Sequence, residues 1–123
     1  MEKIKLNSTL LNISENEKNI CITQGLKNNN RIIYYDNNIK VSVEYDIHFL
    51  KITRSCEEYI LNISLSNKKS TITYDVKSIG KLNFECNLIK YNIFDNSMDV
   101  IYEIINSDEK INRFEFNLQY EVI

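Results

Sequence analysis

The chain has 123 residues, three of them cysteine and two glycine, with no Ala, Pro or Trp, a net charge of -2 and a pI near 5.4. Without a basic excess to neutralise phosphates, nucleic acid is excluded as the expected partner, and no window reaches the roughly 18 apolar residues of a membrane helix. The opening MEKIKLNSTLLNIS has no apolar run of signal-peptide length, so a cytoplasmic protein away from membranes is expected.

Ile4, Leu6, Ser8 and Leu10 alternate with polar residues and begin a sheet. Residues 14–18 (SENEK) read as one helical turn or a polar loop. Ile20 and Ile22 then lead to Gln24-Gly25, and a tyrosine-rich strand follows over 32–36. From 39 to 49 the odd positions are Ile39, Val41, Val43, Tyr45, Ile47 and Phe49, and the even ones are polar. A strand sends successive side chains to opposite faces, so this pattern gives one buried and one wet face. The run is long for one strand, so the chain is expected to turn near Tyr45–Asp46. Leu50, Ile52 and Arg54 continue in the opposite parity.

Tyr59, Leu61, Ile63 and Leu65 share the next face, Ser66-Asn67-Lys68-Lys69 makes a turn, and Ile72, Tyr74 and Val76 return. After Gly80, one face carries Leu82, Phe84, Cys86 and Leu88. The phase flips at Leu88–Ile89, as a bulge in a long strand would produce, and Ile89, Tyr91 and Ile93 carry on. Asp95-Asn96-Ser97 turns the chain. Met98, Val100, Tyr102 and Ile104 face one way, Ile101 and Ile105 the other. Asn106 to Glu109, with Asp108, is a further turn, and Phe114, Phe116, Leu118 and Tyr120 form the last strand. Short strands at this spacing predict one all-β domain over 1–123: a single antiparallel closed or nearly closed β-barrel of 8–10 strands. Closure removes the exposed edges that so many strands would otherwise leave.

Few residues point to chemistry. Cys21, Cys56 and Cys86 are odd in number and far apart, so they read as reduced thiols serving as small hydrophobes. His48 stands alone on a polar parity beside Asp46. No nucleophile elbow, phosphate loop or multi-histidine set accompanies it, so no metal, cofactor or catalytic residue is expected. Glu57 and Glu58 are neighbours on opposite faces and form no acid–base pair. Arg54 shares parity with Leu50 and Ile52, which aims it into the barrel. A buried guanidinium needs a carboxylate, with Glu57, Glu58 and Asp75 as candidates. It reads either as an anion-binding group in a lumen or as half of an ion pair that plugs a barrel end. Tyr34, Tyr35, Tyr74, Tyr91 and Tyr102 either line a cavity or fill it.

The feature order is also familiar. Thr23-Gln24-Gly25 ends an early strand, Ile32-Ile33-Tyr34-Tyr35-Asp36 follows, another strand closes with Ile52-Thr53-Arg54, and Tyr74 precedes Gly80 by six residues. From about Ile4 to Val122 this resembles the YwiB-like family of small bacterial proteins, a domain of unknown function. The resemblance implies a lipocalin-like, or calycin, β-barrel in a bacterial cytoplasm, with no assigned activity. The family's turn before the long hairpin carries a proline and a second tyrosine that are missing between Tyr74 and Gly80.

The sequence therefore leans away from an enzyme. Its first reading is a barrel that binds a small ligand in its lumen, with Arg54, Tyr74, Tyr35 and Tyr102 as the binding residues. The alternative is a solid-core barrel acting as an interaction or homodimer module, with Ile101 and Ile105 adding apolar surface to its outside.

Overall fold

The computed structural model of the chain describes residues 1–105 and 111–123, so the expected turn at Asn106 to Glu109, with Asp108, lies outside it. Among the described residues there are ten strands: β1 (Glu2–Asn12), β2 (Glu17–Asn28), β3 (Arg31–Asp36), β4 (Ile39–Tyr45), β5 (Phe49–Ser55), β6 (Tyr59–Ser66), β7 (Ser70–Val76), β8 (Gly80–Ile93), β9 (Ser97–Ile105) and β10 (Ile111–Val122). Each pairs antiparallel with the next, and β1 pairs with β10 from Ile4↔Val122 to Asn12↔Phe114. The result is a closed antiparallel barrel, as the sequence pattern predicts.

The abundant asparagines have local work at the turns. Asn16, Asn29 and Asn37 adopt positive φ (55°, 55° and 57°) between consecutive strands. Asn tolerates this left-handed region better than most side chains, so tight connections form without glycine. Gly80, at φ 113°, takes a conformation closed to L side chains where β7 turns into β8. The SENEK segment splits between a turn ending at Asn16 and the start of β2. The other glycine, Gly25, sits where β3 joins β2. A Cβ there would lie 2.7 Å from the Ile33 carbonyl oxygen and 3.1 Å from Leu6 Cδ2, so only glycine lets the strands close up.

Residue parity becomes the inside of the barrel. Ile4, Leu6, Ile32, Val41, Val43, Leu50, Ile52, Leu65, Met98, Val100 and Leu118 are all buried. Polar Ser8 is buried with them, where its Oγ accepts a hydrogen bond from the Tyr34 hydroxyl at 3.2 Å. The expected bulge is present: the β8–β9 register shifts between Leu88 and Lys90, and Ile89 swings out to 47 % exposure. Ile89 thereby leaves the face it was expected to share with Tyr91 and Ile93, and three further apolar residues leave theirs. Ile47 (79 % exposed) and Phe49 belong to the β4–β5 turn and its exit, where the Asp46 carboxylate accepts hydrogen bonds from the His48 and Phe49 amides. Leu82 lies near the tip of the β7–β8 hairpin, beyond the packed core, and is exposed. On β9, Ile101 and Ile105 do lie on the outer face, half-buried.

The two ends of the barrel differ. The lower end, where β1 starts, is sealed by tyrosines. Tyr91 on β8 donates its hydroxyl toward the carbonyls of Asp46 and, at 2.7 Å, Phe49, tying the end of β8 across to the β4–β5 turn. Tyr120 donates to the Asp95 carbonyl at 2.9 Å, under the Lys27 ammonium. Burial pushes the Tyr91 phenol up to about 12, with the Asp46 charge adding to it, and the Cys86 thiol up to about 11, with Glu103 adding. Tyr45 rises too, through burial first and the Tyr120 hydroxyl second.

These shifts set an alkaline limit. The ordinary values are 10.0 for tyrosine and 9.0 for cysteine, so above them the unfolded chain loses protons that the barrel still holds. The folded state then binds more protons, and stability falls as pH rises. Urea-unfolding midpoints are therefore expected to be flat below about pH 9 and to fall progressively up to about pH 12. A midpoint unchanged across that window would show that these groups are not shielded in the barrel.

Candidate functional site

The upper end carries the turns at 13–16, 37–38, 56–58 and 77–79, and it is less densely packed. Inward-facing Leu10, Cys21, Ile39, Leu61, Phe84, Ile104 and Phe114 are only partly buried there. Into this apolar mouth the end of β5 projects Arg54. Its Nη2 donates to Asp36 Oδ2 at 3.1 Å, with the two side chains 19 % and 22 % exposed.

The carboxylate is therefore none of the three expected from the sequence. Glu57 and Glu58 stand exposed in the β5–β6 turn, and Asp75 faces outward from β7. The register explains Asp36: Arg54 lies beside Val41, Val41 beside Tyr34, and Asp36 is the next inward residue of β3 toward the mouth. A guanidinium on its three-carbon stem spans one strand diagonally.

Four phenols and a thiol surround or approach this pair. The Tyr59 ring stacks on Tyr74, with centroids 5.4 Å apart and planes 20° apart. Burial raises the Tyr59 phenol, Cys56 adds to the rise, and the Arg54 cation opposes it. Burial raises Tyr34 and Tyr102 as well, again with Arg54 opposing. The Cys21 thiol is pushed up by burial first and by Asp36 second. One cation thus acts on side chains from four other strands.

Of the four binding candidates, the structure gathers Arg54, Tyr74 and Tyr102 at or beneath the mouth. Tyr102 is buried below it, stacked on Phe114 at 5.5 Å. Tyr35 is on the outer wall, 57 % exposed, because Ile32 and Tyr34 take the inward positions of β3. The sequence reading passed over Asp36, Cys21 and Tyr59. Tyr59 was accessible to parity, since it continues the inward series of Leu61, Ile63 and Leu65, whereas the two-sided apolar run of β3 gave Asp36 no face. His48 is exposed in the β4–β5 turn. Among the described residues, no three His, Cys, Asp or Glu side chains converge as metal ligands.

Two clefts among the described residues miss this cluster. One of about 980 Å³ runs where residues 66–70 meet residues 83–88 of β8. Another, of about 280 Å³, is at the mouth itself, between Leu10, Asn12, Asn19 and Phe114. Arg54, Tyr74 and Tyr102 line neither, so the polar cluster forms a packed floor under an open rim.

Fold and mouth together define a class: a closed, ten-stranded antiparallel barrel, plugged by tyrosines below and carrying the Arg54–Asp36 ion pair in its upper mouth. The crystal structure of the ywiB protein from Bacillus subtilis has the same fold. It superposes with a TM-score of 0.65 over 98 % of this chain and 90 % of that one, at 12 % sequence identity. At that identity the likeness is one of fold. No family model matches the chain, and no curated protein matches it.

Proposed function

We propose that the chain is a non-enzymatic, calycin-like barrel of the YwiB-like family, working in a bacterial cytoplasm, and that it binds a small amphipathic anion at its upper mouth. The observation that carries this is Arg54: a guanidinium one-fifth exposed, set among apolar and aromatic side chains. Its bond to Asp36 uses one of five N–H donors and the Tyr59 hydroxyl takes up another, which leaves capacity for a carboxylate or phosphate arriving from above. The ligand's apolar part would lie on the half-buried Leu10, Leu61, Phe84, Ile104 and Phe114. The stacked Tyr59 and Tyr74 supply a flat wall beside the charge. An apolar inside and a largely polar outer wall suit a barrel standing in water, the reverse of a lipid-facing one.

Native mass spectrometry of freshly purified protein is the test. Wild type is expected to carry a small adduct that survives desolvation, and Arg54→Ala to lose it while still folded by circular dichroism. An adduct-free wild type, or an Arg54→Ala variant that keeps the adduct in full, would sink the proposal.

A further inference from the structure

We propose that two copies of the chain join edge to edge through the first half of β2. The whole of β2 pairs with β1, but only Gly25–Asn28 pairs with β3. From Glu17 to Gln24, then, β2 has no second strand partner among the described residues. That leaves a row of backbone N–H and C=O groups facing sideways, and the ligand such a row recognises is another extended strand.

β8 offers a comparison within the same barrel. Its residues 87–93 pair with β9 alone. That edge is guarded by the bulge at Leu88/Lys90, by exposed Lys90, and by Tyr91 bonding across to the β4–β5 turn. Such devices discourage strand addition. The β2 edge has none of them through its middle. Its register with β1 runs without interruption from Glu2↔Lys27 to Asn12↔Glu17. Its outer face carries Ile20 and Ile22, exposed by 58 % and 68 %. The polarity of β2 is inverted, with Cys21 and Thr23 facing in and isoleucines facing water.

The occupant that fits is a second β2, because the segment is self-complementary about Cys21. In an antiparallel ladder with the two-fold axis there, Ile20 meets the partner's Ile22 and Asn19 meets the partner's Thr23. Lys18 meets the partner's Gln24, and Cys21 meets the partner's Cys21. Four isoleucines gather on one face, with polar pairs at both ends, and no like charges are opposed. The ladder stops at Gln24, since Gly25 is already paired with Tyr34. Its seven residues span roughly 23 Å at the usual strand rise.

Sedimentation velocity from micromolar to submillimolar concentration is expected to show a monomer–dimer equilibrium. Ile22→Lys should weaken it by roughly tenfold or more, and Ile22→Thr, which keeps strand preference, by less. Ile101→Lys on the outer face of β9 should leave it unchanged. In a Cys56→Ser variant, Cys21 is the remaining accessible thiol because Cys86 is buried. A short bis-maleimide should then give a covalent dimer joined at Cys21. A monomer at every concentration, or a dimer indifferent to Ile22→Lys, would overturn the proposal. So would a chain that stays monomeric while holding a foreign extended peptide along this edge. The sedimentation outcomes do not depend on what occupies the mouth, because Ile22 lies on the outer face.

Discussion

Tyr102→Ala is expected to destabilise the barrel by about 3–5 kcal/mol. The ring is 3 % exposed and sits between β8 and β10, beside Leu88 and Phe114 in the register. Truncating it removes the largest side chain from that layer and leaves a cavity that a closed sheet cannot collapse to fill. It also ends the stack with Phe114, and such aromatic pairs contribute about 0.5–1.5 kcal/mol beyond buried area. Against a typical domain stability of about 5–15 kcal/mol, the variant keeps little margin. The measurement is the urea midpoint at constant slope. Tyr102→Phe, which keeps the ring, should lose less than about 1.5 kcal/mol. Equal losses in the two variants would mean that the hydroxyl matters and the packing does not.

Asp36→Ala should cost about 2 kcal/mol, less than the full penalty of a wholly buried pair because both partners are about one-fifth exposed. The asymmetry between the partners is the sharper expectation. Removing Asp36 strands a guanidinium above an apolar floor. Removing Arg54 leaves a carboxylate at the end of β3 that can turn toward water. Arg54→Leu should therefore be milder than Asp36→Ala, and the Asp36→Ala/Arg54→Leu double variant should recover part of the loss. A double variant as unstable as the sum of the singles would mean that the two charges are not coupled.

The alternation of Val41, Val43 and Tyr45, of Ile63 and Leu65, and of Phe116 and Leu118 was enough to place the core, because one buried face imposes period two on any strand. The break at Leu88–Ile89 was legible for the same reason, since a bulge is a phase error. Where both parities are apolar the signal cancels. Ile32-Ile33-Tyr34-Tyr35 carries no preference for either face, so Tyr35 could be assigned to the lumen although it lies outside. In β2 the pattern is inverted, with the apolar residues at 20 and 22 facing water, and alternation alone reports no sign. Arg54 was correctly aimed inward. Its partner was not, because Asp36 is a neighbour across two strands and only the three-dimensional register brings them together.

The seam between β1 and β10 has a consequence for synthesis. Every other pairing joins neighbours in the chain, so hairpins can form as they leave the ribosome. This one must bring Ile4 against Val122. Until β10 emerges, the nascent wall stays open, with β1 and β9 both bare along one side. Loop-closure entropy grows slowly with length, so the delay costs little in final stability. Its burden is kinetic, as an open-sided intermediate whose protection depends on how soon β10 is made.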